Sequence, residues 1–359
     1  MGSYVRGSKV LHVIKSIMMK IWAYSGIVLF ICFIVYYLYG GILAFLLLLF
    51  AMTGMVYHAQ DHFLYNPDMP SHSRVFVPIP SIYNLPYENL QIKSIDGTML
   101  NMFFIHQPGE RQRQSPTVVF FHGNAGNMGH RLQNCAGLYH SLHCNILMVE
   151  YRGYGWSEGY PSEEGFYMDA RASIDYLYSR NDINHAEIIV FGRSLGGAVA
   201  IDLACRAEYA NKIWCLIVEN TFTSIPDMAT VLLQWRLLNY LPFFCYKNKF
   251  ISIYKAMHLR IPTLFISGLA DTLVPPRMMS DLHTRCGSTS KQLLQLISGT
   301  HNETWTLPGY YHSLAVFLQN CRLQNRDIRS QYSDKIINEQ KATVTPPTDS
   351  SIWINSEII

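Results

Sequence analysis

The sequence predicts an α/β domain, a mostly parallel sheet flanked by helices, behind an N-terminal transmembrane helix. Two observations carry this prediction. One long segment near the start of the 359-residue chain contains no charged side chain. Further along, short apolar runs rich in β-branched and aromatic residues alternate with helical patterns. Near-continuous apolar runs are typical of parallel strands buried on both faces.

The composition excludes two broad classes of protein. Charged residues make up only 15% of the chain and apolar residues 49%, whereas an average soluble domain carries about 25% charge. An intrinsically disordered chain needs few apolar residues and high charge. A formal charge of +3 provides no clustered basic face for nucleic acid. We therefore expect no nucleic-acid partner.

The uncharged segment extends from Ile21 to Gln60. A spanning helix needs about 20 apolar residues, and the apolar part of a cleaved signal peptide has only about 7–15. The segment is therefore interpreted as an uncleaved signal-anchor. We expect one span, roughly Tyr36 to Tyr57, after an interfacial helix anchored by Trp22 and Tyr24. A hairpin at Gly40-Gly41, with two crossings, is the alternative.

Positive charge precedes this segment. The first twenty residues contain no acid and four basic side chains, namely Arg6, Lys9, Lys15 and Lys20. Such an excess marks the cytosolic flank. One crossing then gives a single-pass type II membrane protein, with a lumenal or extracellular domain and the lipid bilayer as a partner. In that compartment the sequon at Asn302 would be a glycosylation site. Two crossings would return the domain to the cytosol.

Composition also divides the chain into four parts. Residues 1–60 form the cytosolic N-terminus and membrane anchor, and residues 61–86 form a connector rich in Pro, Ser and Asn. Residues 87–323 form the α/β domain. Residues 324–359 are polar and mixed in charge, which predicts a flexible tail.

The α/β domain is predicted to open with a β-hairpin over Glu88–Ile105, turning at Asp96-Gly97. Apolar runs then predict six strands at Thr117–Phe121, Ile146–Val149, Ile188–Phe191, Ile213–Val218, Thr263–Ile266 and Leu293–Ile297. Helical patterns fall between and after them, at Asn127–His140, Ser162–Tyr178, Leu195–Ala207, Met278–Thr284 and Thr304–Asn320. About 240 residues suffice for one such domain.

A G-x-S-x-G motif at Gly192–Gly196 is the first candidate for chemistry. The motif alone is weak, but a predicted strand precedes it and a predicted helix follows it. That setting places the serine on a tight strand-to-helix turn at the carboxyl edge of the sheet. Ser194 is therefore the candidate nucleophile.

A nucleophilic serine needs a base, and the base needs an orienting acid, in the chain order serine, acid, histidine. Asp271 lies in a loop just after a predicted strand, whereas the alternative, Asp281, falls within a helical pattern. His301 follows the last predicted strand, whereas His283 and His312 lie on helical patterns. The loops after parallel strands meet at one edge of the sheet. We therefore predict Asp271 and His301.

Acyl transfer also needs donors for the oxyanion that develops in the transition state. The backbone N–H of Leu195 lies at a predicted helix N-terminus, where the helix dipole helps. The second donor should come from the loop after the third strand. We assign it to the backbone N–H of Asn124, with Gly123 as the alternative.

The same loop imitates a dinucleotide site, because Gly123, Gly126 and Gly129 follow a strand and Glu150 ends the next one. The spacing is G-x-x-G-x-x-G rather than G-x-G-x-x-G. The chain also has no Walker A loop, no H-E-x-x-H and no C-x-x-C among its eight Cys residues. We expect no cofactor, no metal and no complete disulfide framework.

Five motifs in combination resemble the α/β-hydrolase superfamily, and most of all its membrane-anchored BEM46-like branch. They are HGNAGN, YRGYGWSEG, FGRSLGGA, ISGLADTLVPP and GTHNETW. The resemblance implies Ser194 as nucleophile, Asp271 as acid and His301 as base, in a single-pass protein with a cytosolic N-terminus. Glu150 departs from the Asp that members of this branch usually carry before Tyr-Arg-Gly-Tyr-Gly, and only a local effect on its loop is expected.

The expected function is therefore that of a membrane-anchored serine hydrolase acting on ester or thioester bonds of acyl lipids or acylated substrates. A catalytically silent anchored binding protein and a serine peptidase are the alternatives. An apolar helix face before the seventh strand is interpreted either as core or as a lipid-facing lid; it comprises Met228, Val231, Leu232, Trp235, Leu238 and Leu241.

Overall fold

One eight-stranded sheet organises the domain. The computed structural model describes Trp22 and residues 24–234 and 242–324. The strands are β1 Tyr87–Lys93, β2 Met99–Ile105, β3 Thr117–Phe121, β4 Asn145–Val149, β5 Ile188–Arg193, β6 Cys215–Glu219, β7 Thr263–Gly268 and β8 Lys291–Leu296. Their order is β1-β2-β4-β3-β5-β6-β7-β8. β2 is antiparallel to both of its neighbours, β1 and β4. All other neighbouring strands in the sheet are parallel. The predicted α/β class, hairpin and six strands are confirmed.

Helices cover both faces of this sheet. They are α3 Arg111–Gln114, α4 Leu132–Leu142, α5 Glu163–Ser179, α6 Leu195–Cys205, α7 Ala207–Ala210, α8 Ile225–Leu233, α9 Ser252–Ala256, α10 Pro276–Arg285 and α11 at 310–324. One apolar cluster joins the sheet to α5, α6 and α10, and a second joins it to α4 and α11. The strands therefore lie between two apolar layers, which is why their sequences read as continuous apolar runs.

Two predicted helices begin later than expected. The helix predicted from Asn127 opens with a 3-10 turn over Met128–Arg131 before α4. The helix predicted from Thr304 is a 3-10 turn over Thr304–Thr306, followed by Pro308 and by Gly309 at φ +85°. Proline and a left-handed glycine interrupt the pattern, so α11 begins only at residue 310.

Two apolar helices precede the domain, α1 over Tyr24–Tyr39 and α2 over Gly41–Leu64. They are separated at Gly40, whose φ of +90° is a conformation that glycine adopts without strain. Among the described residues, α2 alone is long and apolar enough to cross a membrane, with a mean hydropathy of 2.0. The break shifts the apolar helix from the predicted start at Tyr36 to Gly41, and its end from Tyr57 to Leu64.

The predicted connector, residues 61–86, is part of the folded domain. Its first four residues belong to α2. Beyond them Tyr65, Val77 and Leu85 are buried in the two apolar clusters. The Tyr65 hydroxyl donates to Asn248 Oδ1 at 2.9 Å, and burial, with Glu163 nearby, raises its pKa above the ordinary range. The chain therefore passes from α2 into the domain without a loose linker. The predicted tail, apart from Gln324, lies outside the described residues.

Candidate active site

Ser194 sits on a strained turn between β5 and α6. Its backbone has φ 52° and ψ −119°, a conformation that a side-chain-bearing residue adopts only when its surroundings impose it. Two glycines make the turn possible. A Cβ on Gly192 would lie 2.2 Å from the Gly196 carbonyl oxygen, and one on Gly196 would lie 2.1 Å from the Phe121 carbonyl oxygen. The motif therefore folds as the strand–turn–helix that the sequence predicts.

The structure brings the three predicted side chains into one hydrogen-bonded chain. Ser194 Oγ lies 3.0 Å from His301 Nε2, and His301 Nδ1 lies 2.7 Å from Asp271 Oδ2. The other carboxylate oxygen of Asp271 accepts the backbone N–H groups of Leu273 and Val274 at 2.8 and 2.9 Å. Ser194 and Asp271 are buried, and His301 is partly buried. An imidazole held in this way can accept a proton from the serine hydroxyl.

The alternative acid and bases lie elsewhere. Asp281 is exposed on α10, and His312 is exposed on α11. His283 packs its ring edge-on against Phe265, 5.6 Å between ring centroids, and burial lowers its pKa. Their helical positions place them in the layers that cover the sheet rather than at its carboxyl edge.

The two backbone N–H groups that the sequence predicts as oxyanion donors belong to residues next to Ser194 or next to Gly123, which packs against it. Gly123 packs against the serine, since a Cβ built on it would lie 3.5 Å from Ser194 Cβ. The next peptide N–H belongs to Asn124, and Leu195 provides the first N–H of α6. Within residues 24–234 and 242–324, neither N–H donates to a protein acceptor. Two free N–H groups beside a nucleophile are what an oxyanion needs.

The Asn124 side chain ties the loop after β3, residues 122–127, to the end of α2; this loop is named the oxyanion loop. Its Nδ2 donates to the Leu64 carbonyl at 2.5 Å. Its Oδ1 accepts the Asn66 N–H at 3.3 Å and the Tyr154 hydroxyl at 2.8 Å. Burial raises the pKa of Tyr154 well above its ordinary value, so this hydroxyl keeps its proton and donates. Asn66 also forms a parallel bridge with Ala125.

Two side chains that the sequence did not single out hold residues 299–302, the segment that carries His301 and is named the histidine loop. Arg193 Nη2 donates to the His301 carbonyl at 2.7 Å and to Asn302 Oδ1 at 3.0 Å. Asn220 Nδ2 donates to the Thr300 and His301 carbonyls, each at 3.1 Å, and its Oδ1 accepts the Gly268 N–H at 2.8 Å. Asn220 directly follows β6, so the strand-end position that pointed to Asp271 and His301 could have found it.

A buried carboxylate lies behind Arg193. Glu219 Oε1 is 3.7 Å from Arg193 Nε and accepts the Thr304 hydroxyl, and Oε2 accepts the Tyr310 hydroxyl at 2.5 Å. Burial, followed by the charge of Glu219, raises the pKa of Tyr310 well above its usual range, so Tyr310 donates. Each oxygen of the carboxylate is thus satisfied, as a buried charge requires.

Glu150 supports the oxyanion loop from inside. Its Oε1 is 2.9 Å from His122 Nε2, and its Oε2 accepts the Met128 N–H at 3.0 Å. His122 Nδ1 is 2.7 Å from the Gly123 carbonyl, and both side chains are fully buried. Glu150 therefore holds the backbone and the His122 side chain of this loop in place. In a dinucleotide site, the acid at the end of the second strand binds the ribose of the nucleotide. The Glu150 carboxylate is fully buried and bonded to His122, so it is not free to bind a ribose.

The remaining sequence candidates are the sequon at Asn302 and the apolar helix face that begins at Met228. Asn302 is exposed beside His301, and its use as a glycosylation site stays a prediction. Met228 is buried and Val231 packs against the core, whereas Leu232 is exposed. The part of the predicted apolar face that lies on α8, which ends at Leu233, is therefore divided between core and surface. Its other members, Trp235, Leu238 and Leu241, lie outside the described residues.

Comparison with known proteins places this geometry in a family. Residues 116–239 match the family model described as alpha/beta hydrolase fold. The chain is 38% identical to the alpha/beta hydrolase domain-containing protein WAV2 of Arabidopsis thaliana, over 81% of this chain and 96% of that protein. It is 36% identical to the protein bem46 of Schizosaccharomyces pombe, over 78% and 92%. The chain belongs to the BEM46-like α/β hydrolases. The predicted family is confirmed.

Two further comparisons extend this assignment. The BEM46-like chain is 30% identical to the uncharacterized membrane protein YNL320W of Saccharomyces cerevisiae, over 78% of this chain and 94% of that protein. The solved Pyrococcus furiosus esterase Pf2001 superposes with a TM-score of 0.55 at 18% identity, covering 68% of this chain and 99% of the esterase. At that identity the likeness shows the fold, which is the predicted α/β-hydrolase fold.

Proposed function

We propose that this BEM46-like protein is a membrane-anchored serine hydrolase that cleaves ester or thioester bonds through an acyl-enzyme. The observation that carries the proposal is the hydrogen-bonded chain Ser194–His301–Asp271, set on a strained turn beside two free backbone N–H groups. Nucleophile, base, orienting acid and oxyanion donors then have the relative positions that acyl transfer requires.

The mechanism follows from this arrangement. His301 Nε2 takes the proton of Ser194 as Oγ attacks the acyl carbon, and the N–H groups of Leu195 and Asn124 stabilise the oxyanion. His301 gives the proton to the leaving oxygen or sulfur. It then takes a proton from water as the water oxygen attacks the acyl carbon of the acyl-enzyme, and it returns that proton to Ser194 Oγ as the acid is released. Asp271 keeps the proton of the imidazole on Nδ1.

Membrane anchoring is supported by α2 and by the name of the yeast relative, a membrane protein. The basic residues before the apolar segment favour a cytosolic N-terminus. With one crossing the catalytic domain is lumenal or extracellular, and Asn302 is then open to glycosylation. An anchored site meets acyl chains in the bilayer, so we propose acyl lipids or acylated substrates.

A fluorophosphonate probe tests the proposal directly, because such probes react with an activated serine. In membranes that contain the full-length protein, we expect labelling of the wild type, none of Ser194→Ala, and labelling at least 100-fold slower in His301→Ala. Ser179→Ala is a matched control, since Ser179 is exposed at the end of α5. If the folded wild-type protein is not labelled, the result would favour a catalytically silent binding protein. If the protein hydrolyses peptides but not esters, the result would favour a peptidase.

The Asn124 side chain provides a second prediction. Asn124→Ala keeps the backbone N–H but removes hydrogen bonds to Leu64, Asn66 and Tyr154, so the oxyanion loop loses its fixed position. We expect kcat for a short soluble ester to fall about 10–100-fold, with a smaller change in KM, because an oxyanion contact acts mainly in the transition state. An unchanged kcat in protein of unchanged Tm would contradict a preorganising role.

A further inference from the structure

The last turn of α2 is clamped to the loop after α8. Gln60 Nε2 donates to the Cys245 carbonyl at 2.7 Å, and Gln60 Oε1 accepts the Lys247 N–H at 2.9 Å. Asp61 accepts Asn248 Nδ2 at 2.6 Å and pairs with the Lys247 ammonium. Polar side chains at the end of an apolar helix are thus paired with the domain, and the helix has a fixed attachment.

Three exposed phenylalanines surround this clamp. Phe63 is 83% exposed, Phe243 51% and Phe244 76%. Phe63 is three residues from Gln60, so the two are neighbours on the surface of α2. Phe243 and Phe244 immediately precede Cys245, the residue that Gln60 contacts. The fold therefore brings three aromatic rings to the end of the apolar helix, a group that we name the aromatic collar.

Helix geometry places the aromatic collar at the edge of a bilayer. At 1.5 Å per residue the 24 residues of α2 extend about 36 Å, whereas the hydrocarbon core is about 30 Å thick. The end of a spanning α2 therefore emerges in the headgroup region. Exposed apolar side chains such as Phe45, Leu49 and Phe50 lie further back along α2. Exposed Thr53, His58 and His62 lie between them and the collar, as expected where a helix leaves the hydrocarbon core.

We propose that the aromatic collar inserts into the phospholipid bilayer and holds the oxyanion loop at its surface. The occupant is lipid, because the exposed rings of the collar lie at the end of the apolar helix, at the depth where a spanning α2 leaves the hydrocarbon core. The same turn of α2 that carries Phe63 ends at Leu64, whose carbonyl accepts Asn124 Nδ2. A substrate whose acyl chain lies in the bilayer then reaches Ser194 without leaving the membrane surface. This substrate preference rests on the proposed hydrolase function, whereas insertion of the collar does not.

Photocrosslinking tests insertion without reference to activity. Full-length protein carrying benzoylphenylalanine at position 243 or 244 is reconstituted in phosphatidylcholine vesicles, irradiated and examined by mass spectrometry for lipid adducts. Leu323 is the matched control, since it is 49% exposed at the end of α11. The next residue, Gln324, bonds Ser290 just before β8, at the amino edge of the sheet opposite Ser194. Adducts at 243 and 244 but not at 323 are expected; equal adducts at all three, or none at 243 and 244, would overturn insertion.

A second measurement tests the consequence for the substrate. The double variant Phe243→Ser/Phe244→Ser should hydrolyse a long-chain monoacylglycerol in those vesicles about tenfold more slowly than the wild type. Its fluorophosphonate labelling and its rate on a soluble butyrate ester should be unchanged, which excludes misfolding. Leu323→Ser should change neither rate. An unchanged vesicle rate would overturn delivery from the bilayer. Failure of the wild type to label would instead overturn the hydrolase proposal and leave the crosslinking result intact.

Discussion

Ser194→Ala is expected to lower kcat for ester hydrolysis by about five to six orders of magnitude. Ser194 Oγ lies 3.0 Å from His301 Nε2, the nitrogen that takes its proton. Alanine has no hydroxyl, so the variant has no nucleophile that can attack a bound acyl group. Steady-state hydrolysis of a soluble ester by purified full-length protein measures the effect. Ser179→Ala should retain full activity, because its side chain is exposed and remote in sequence from the motif.

Ester hydrolysis by single and double variants shows whether Ser194 and His301 act in the same step of catalysis or in separate steps. His301→Ala should cost nearly as much as Ser194→Ala, and the double variant should be no slower than the slower single variant. The reason is that both side chains act in one proton transfer, so removal of either abolishes it. Residual catalysis over water would come from the N–H groups of Leu195 and Asn124. If the two losses multiplied in the double variant, the two side chains would be acting in separate steps.

Much of the fold could be predicted because burial leaves a direct mark on sequence. β3 has the predicted bounds, since a strand covered on both faces is apolar at every position. The bounds of strand β8 are predicted less accurately, because it lies at the edge of the sheet and exposes the polar side chains of Gln292 and Gln295. The start of α11 is predicted too early, because Pro308 and Gly309 interrupt an otherwise helical pattern.

The positions of Ser194, Asp271 and His301 could be predicted because each follows a strand of the same parallel sheet. Strand ends converge in space, so position in the chain implies proximity. The supporting side chains depend on contacts between distant segments. Arg193 reaches the histidine loop across 108 residues, and Gln60 reaches Cys245 across 185. Neither contact has a local pattern, so the attachment of α2 beside the oxyanion loop is visible only in the structure.

Asp271→Asn is expected to lower kcat about 10⁴-fold while the fold is retained. In the wild type, Oδ1 accepts the N–H groups of Leu273 and Val274, and Oδ2 lies 2.7 Å from His301 Nδ1. An asparagine keeps the two backbone bonds only if its oxygen faces Leu273 and Val274. Its NH₂ group then faces Nδ1, which must become the acceptor. The imidazole proton therefore moves to Nε2, and a protonated Nε2 cannot take the proton of Ser194.

This tautomer argument is checked by combining kinetics with thermal unfolding and fluorophosphonate labelling. Asp271→Asn should keep a Tm near that of the wild type, because the two backbone N–H groups stay satisfied, and should label far more slowly. Asp281→Asn is the matched control, since Asp281 is exposed on α10 and should lose nothing. If Asp271→Asn were nearly as active as the wild type, the carboxylate would not be setting the tautomer, and another group would have to orient His301.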